Sequence, residues 1–156
     1  MVMLFAEVYT DGSCHTQKCY GAWASVILID NQKIILSGTE IETTHNRMEL
    51  LAVINSIKHV TQNFPTIKDI KIVSDSQYVI GLIDRKFKFI KSNYKTKAGI
   101  DIRNVDLVKE LLALLTFVSV AFVKIKAHQK PNSIINYNIE VDKLSRQLVR
   151  EGSNKK

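Results

Sequence analysis

The spacing of hydrophobic residues changes several times along the chain, and each change marks an element. Leu4–Tyr9 reads as a strand that enters a turn at Asp11-Gly12-Ser13. Ala22–Ile29 and Lys33–Ile41 are two further β-branched runs, and Asp30-Asn31-Gln32 between them has the composition of a hairpin turn. Over Asn46–Val60 the period becomes helical, with Met48, Leu51, Ala52, Ile54 and Ile57 on one face and Thr43 or Thr44 placed to cap its start. Ile70–Ser74 is a short buried strand with Asp75 at its end, and Ser76–Ile83 is helical. Asn104–Leu115 forms another helix, Phe117–Ile125 a valine-rich strand, Ala127–Tyr137 a polar loop, and Asn138–Arg150 a closing helix with Val141, Leu144 and Leu148 inward. This order predicts an α/β domain with a mixed sheet and helices packed on it. The first strand's open edge is free to take the fourth strand as its neighbour.

Length sharpens that picture. A chain of 156 residues suits one domain, here 1–150, with a polar, frayed tail at 151–156. The apolar runs are far too short to span a membrane, and the N-terminus lacks the pattern of a signal peptide, so a cytoplasmic protein is expected. Nothing signals oligomerisation, and a monomer is expected. Cys14 and Cys19 are expected as reduced thiols. Cys14-His15 and Cys19 resemble half a zinc site, but no second ligand pair stands at a suitable spacing.

Charge adds a partner class. The formal net charge is +7, which favours polyanions. Arg85–Lys97, RKFKFIKSNYKTK, concentrates six basic residues with no acid and interleaves Phe87, Phe89 and Tyr94. Basic groups follow phosphates and aromatic rings pack on sugars or bases. The same segment also reads as a solvated helix face with its rings in the core.

Four acids stand at the ends or on the faces of these elements: Asp11 after the first strand, Glu49 on the first helix, Asp75 after the fourth strand and Asp142 on the last helix. Clustered carboxylates repel one another and need a cation to stay ionised together. Hard oxygen donors suit Mg²⁺, and two such ions can serve phosphodiester hydrolysis. Taken singly, each acid reads more readily as a turn cap or a solvated surface group, and spacing alone does not overturn that reading.

The residues around them carry a resemblance. Tyr9-Thr10-Asp11-Gly12-Ser13-Cys14, Thr43–Leu50 (TTHNRMEL), Ser74–Val79 (SDSQYV) and Asn138–Ser145 (NIEVDKLS) resemble, in order, the four catalytic motifs of type 1 ribonucleases H. The resemblance covers roughly residues 5 to 150 and implies that family's five-stranded mixed sheet flanked by helices. It implies Asp11, Glu49, Asp75 and Asp142 as ligands for two Mg²⁺ ions, with Mn²⁺ as a substitute. It also implies hydrolysis of the RNA strand of an RNA–DNA hybrid, leaving 5′-phosphate and 3′-hydroxyl ends. His128, on the loop after the last strand, matches a histidine implicated in proton transfer or product release.

The implied substrate contacts are Cys14, Thr44, Asn46 and Gln77. The amides suit a 2′-hydroxyl or a base edge, and Thr44 suits a DNA phosphate. The basic segment matches the protrusion of bacterial members, which grips DNA, through Lys86, Lys88, Lys91, Tyr94 and Lys95. Retroviral domains often lack it. Several features depart from the family pattern. His45 replaces a frequent asparagine, and His15–Cys19 replaces a Gly- and Pro-rich loop with a shorter one. The segment between His128 and Asp142 is longer than usual. Phe89, Tyr94 and Val108 stand where tryptophans are common, and the sole tryptophan is Trp23. The competing readings are a nucleic-acid-binding module without turnover, a nuclease of the same superfamily acting on DNA, and a ribonuclease H domain cut from a reverse transcriptase.

Overall fold

A computed structural model describes residues 5–125 and 133–154. Strands β1 (Phe5–His15), β2 (Tyr20–Ile29), β3 (Gln32–Glu40), β4 (Asp69–Ser74) and β5 (Ser119–Lys124) form one sheet in the order β3-β2-β1-β4-β5. β1 pairs with β2 and β2 with β3 antiparallel, while β1–β4 and β4–β5 are parallel. The mixed sheet and the pairing of the first and fourth strands are as the pattern predicts. β1 is buried almost without a break from Ala6 to Gly12, as a strand covered on both faces must be. The outer strands β3 and β5 are half-exposed, and β3 carries Lys33, Ser37, Thr39 and Glu40, polar groups that blunt an edge.

Alternation along the strands divides the core in two. Val8 and Ile72 face a large layer formed by α1 (His45–Asn63), α2 (Gln77–Asp84), α3 (Lys86–Lys91) and α4 (Val105–Leu114). Tyr9 and Val73 face the opposite side, where they meet Val141 of α5 (Ser133–Ser153). Thr44 caps α1, its Oγ1 accepting from the Arg47 amide at 3.2 Å. Ser76 caps α2 in the same way through Val79 at 3.2 Å.

Two elements, β1 and α5, differ from the sequence reading. The turn expected at Asp11–Ser13 is strand: Gly12 and Ser13 pair with Trp23 and Ala22, and the chain reverses only at residues 16–19, where Cys19 takes φ 51°. An Asp-Gly-Ser signal is local, and here a long ladder overrides it. α5 begins at Ser133 rather than after a loop reaching Tyr137, because the Tyr137 ring packs on Tyr9 at 5.1 Å and Asn138 is buried. α5 also continues to Ser153, into the segment read as a tail. Tyr20 lies directly against Gly152 there, Ser153 is buried, and the Lys18 ammonium donates to the Ser153 carbonyl. The buried stripe of α5 is accordingly Val141, Ser145 and Val149, with Leu144 and Leu148 only half-buried.

Candidate active site

The parallel register of β1 and β4 places Tyr9 beside Val73, so Asp11 and Asp75 follow at matching positions two residues on. Asp11 is still within β1, paired with Ala24, and only 4% exposed. Just beyond Asp75 the chain turns: Ser74 Oγ accepts from the Ser76 amide at 3.0 Å, and Ser76 then opens α2. Glu49 arrives from α1 and is 1% exposed. Its approach depends on Gly12, where a Cβ would stand 2.6 Å from the Glu49 amide nitrogen and 2.7 Å from the Met48 carbonyl carbon. Asp142 comes from α5 on the other face of the sheet. It is half-exposed, stands close enough to Asp11 to add to the rise in that group's pKa, and accepts from Arg146 Nε at 3.0 Å.

Asp11, Glu49 and Asp75 each offer a carboxylate oxygen, and these three atoms lie within 4.8 Å of one another. Glu49 Oε1 faces His45 Nε2 at 3.2 Å, while the buried Glu49 Oε2 has no hydrogen-bond partner among the described residues. A buried, orphaned carboxylate oxygen is costly unless something outside the protein satisfies it. A hard divalent cation fits this all-oxygen donor set.

Electrostatics point the same way. Burial raises the pKa of Asp11 above the ordinary carboxylate range, and the charges of Glu49 and Asp75 raise it further. Burial also raises Glu49, although the nearness of Asp11 and of the Gly12 amide pulls the other way. Asp75 is raised by burial and then by Asp142. Without a cation, Asp11 and Glu49 are therefore biased toward their protonated forms. The folded state holds protons that the unfolded chain, with carboxylates near their usual value of about 4, releases. This cluster's contribution to metal-free stability is thus greatest below that value and declines as pH rises toward and past neutrality. Asp11→Asn is expected to melt a few degrees above wild type at neutral pH in chelator, with the gap closing near pH 4. Mg²⁺ should raise the melting temperature of wild type more than that of the variant. Parallel melts across pH check both, and an Asn variant less stable than wild type at neutral pH would contradict this account.

The other sequence-predicted residues fall into groups. Thr44, Asn46 and Gln77 occupy the first turns of α1 and α2 or their caps, at the carboxylate end of the sheet. Thr44 is itself the α1 cap, so Asn46 is not. Gln77 is exposed and Asn46 half-buried. Cys14, half-buried near the end of β1, directs its thiol at the Thr43 carbonyl at 3.7 Å. His128 lies outside the described residues.

The basic segment is a short helix and a turn. Phe89 is buried and Tyr94 half-buried against the core, with Arg85 stacked over Phe89 and Lys109 over Tyr94. Val108 is fully buried. The residues at the positions of the missing tryptophans therefore anchor the segment, while Phe87, 76% exposed, is the ring it offers to solvent. Lys88 and Lys91 are exposed, and Lys86 sits over the Phe87 ring at 5.1 Å. Lys95 pairs with Asp101 at 2.6 Å across a turn containing Gly99 at φ 81°.

One arrangement escaped the sequence reading. Arg47, inside the second motif, forks onto both Asp106 oxygens at 3.0 and 2.9 Å and reaches Asn104 Oδ1 at 3.3 Å. Asn104 adopts a left-handed conformation at φ 57° and donates to the Tyr78 hydroxyl at 2.9 Å. This clasp ties α1 and α2 to the point where the chain returns from the basic segment. The only signal for it in sequence is Arg47 itself, together with Asn-x-Asp before a helix.

Comparison with known proteins agrees with this geometry. The RNase H family model matches residues 5–150. The chain is 32% identical over 146 residues to "Ribonuclease H" of Caldicellulosiruptor saccharolyticus, covering 92% of this chain and 95% of that one. It is 31% identical over 151 residues to "Ribonuclease H" of Acetivibrio thermocellus, covering 96% and 97%. It is 34% identical over 149 residues to "Ribonuclease H" of Thermoanaerobacter sp., covering 94% and 91%. A five-stranded mixed sheet with helices on both faces, a buried acidic cluster at its centre and a family match across nearly the whole length agree on one conclusion: the chain belongs to the ribonuclease H family.

Proposed function

We propose that this protein hydrolyses the RNA strand of RNA–DNA hybrids with two bound divalent cations, Mg²⁺ or in its place Mn²⁺, leaving 5′-phosphate and 3′-hydroxyl ends. The observation that carries the proposal is the convergence of Asp11, Glu49 and Asp75 from three separate elements around an unpartnered Glu49 oxygen. Asp142 completes the ligand set from α5. When bound, the ions make water a better nucleophile and stabilise the leaving oxygen.

The protein's own groups do the rest. The carboxylates fix where the scissile phosphate can sit, and their burial beneath α1 keeps that position rigid. Asn46 and Gln77 each offer a donor and an acceptor to 2′-hydroxyls, the group that separates RNA from DNA. Cys14 and Thr44 line the strand path at the ends of β1 and α1. His128 takes part in proton transfer or product release. Lys86, Lys88 and Lys91 meet phosphates of the DNA strand beside Tyr94. Lys95 contributes less, because Asp101 already holds it.

A labelled hybrid incubated with and without Mg²⁺, alongside duplex DNA of the same sequence, tests the proposal. Mg²⁺-dependent cuts confined to the RNA strand are expected. No cleavage, or equal cleavage of duplex DNA, would overturn it. Replacing Lys86, Lys88, Lys91 and Lys95 together by alanine should weaken hybrid binding and flatten the dependence of log K on log salt. The slope should fall by about one for each lysine that meets a phosphate. An unaltered slope would remove the segment from the interface.

A further inference from the structure

An open groove of about 420 Å³ lies between the end of β1 and the C-terminal half of α5, lined among others by His15, His45, Arg146 and Arg150. It is continuous with the carboxylate cluster, because His45 contacts Glu49 at 3.2 Å and Arg146 contacts Asp142 at 3.0 Å. Among the described residues no acidic side chain lines it. Arg150 is exposed with no side-chain bond among the described residues, while Arg146 is 64% exposed and paired with Asp142. His15 accepts the Lys18 amide on Nδ1 at 3.2 Å, which leaves Nε2 as a donor. The carbonyl end of α5, which would repel an anion, is covered by the Lys18 ammonium on Ser153.

The placement also assigns a strand. The basic segment packs on the α1–α4 layer, while this groove opens toward α5 with His45 of α1 as its near wall, beside the carboxylates. A duplex laid across the carboxylate end therefore has one strand toward each basic surface. The groove joins directly onto the cluster that takes the scissile phosphate, so the strand it receives is the one being cut.

We infer that this groove is a phosphate subsite for the RNA strand beside the cleavage position, with Arg150 as its principal contact and His15 as a second donor. The inference rests on the hybrid-cleaving reading above. A helix end and a reshaped β1–β2 turn supply it, and neither is part of the metal site.

Steady-state cleavage by the full-length protein with Mg²⁺, using Arg150→Ala and Arg150→Lys, provides the test. Arg150→Ala should raise KM about tenfold, the scale of one lost hydrogen bond to a charged group, and leave kcat unchanged. Its salt slope should be shallower by about one, and Arg150→Lys should restore most of the KM. Hybrids bearing a single neutral methylphosphonate then identify the strand. In wild type, one such linkage in the RNA near the cut should reproduce the KM rise, and in Arg150→Ala it should add nothing. Unchanged KM and slope in Arg150→Ala would overturn the subsite. Non-additivity with a linkage in the DNA strand instead would overturn the strand assignment. A wild-type protein that fails to cut the hybrid would overturn the hybrid-cleaving reading itself, a result distinct from either.

Discussion

Asp75→Asn is expected to lower hybrid cleavage by about a thousandfold or more while the protein stays folded and no less stable. Asparagine has nearly the shape of aspartate but no charge, so the loss falls on cation binding rather than packing. Charge stabilisation by a bound ion amounts to several kcal/mol, and about 4 kcal/mol corresponds to three decades in rate. The local fold does not depend on the carboxylate. Ser74 and Ser76 shape the turn through their own hydroxyls, and β4 pairs with β1 and β5 on both sides. Asp75 is one of the charges that raise the pKa of Asp11 and Glu49, so its neutralisation relieves repulsion in the metal-free protein. Single-turnover cleavage at saturating Mg²⁺, with thermal melts in chelator, separates the two effects. Cleavage within tenfold of wild type would remove Asp75 from the metal site. A melting temperature well below wild type would mean that the carboxylate holds the fold.

Much of this was legible in the sequence, and the part that was not has a common cause. The strands and α1 followed from the period of apolar residues, because each period is set within a few neighbours. Convergence of Asp11 with Asp75 is non-local. It requires β1 and β4 to pair in parallel with Tyr9 beside Val73, and spacing alone could not select that register. The surrounding motifs singled out the four acids where periodicity could not. The faces of the basic segment were partly readable, since Phe87 and Phe89, two apart on a helix, must diverge; one is exposed and the other buried. The Arg47 clasp was not readable, because Arg47 and Asp106 meet only once α4 packs on α1. The turn expected at Asp11-Gly12-Ser13 failed for a related reason. Gly12 reads as a turn former, yet its φ is not positive, and what the position demands is space rather than a special backbone conformation.

That distinction makes Gly12→Ala the second large expected effect. An added methyl would lie 2.6 to 2.8 Å from the Glu49 nitrogen, the Met48 carbonyl carbon and the Met48 Cβ. Two of those three atoms are helix backbone, so no side-chain rotation relieves the clash and α1 must move away from β1. Overpacking of this kind costs about 3 kcal/mol, which in a chain of this length lowers the melting temperature by roughly 6–12 °C. Function should suffer beyond stability. The Glu49 backbone moves with the helix, and a displacement of about 1 Å at a positioned catalytic group costs about a hundredfold in rate. Gly81→Ala is the matched control. It lies inside α2 with only the tip of Arg85 near, at 3.9 Å, so alanine there should raise stability by up to about 1 kcal/mol and leave cleavage unchanged. Melting temperature and single-turnover rate, measured for both variants, decide the point. If Gly12→Ala kept wild-type cleavage at a temperature where it is fully folded, Glu49 would not depend on close contact between α1 and β1. Its placement would then have to come from the carboxylates and cation around it, and the rigid seat argued for the site would be lost.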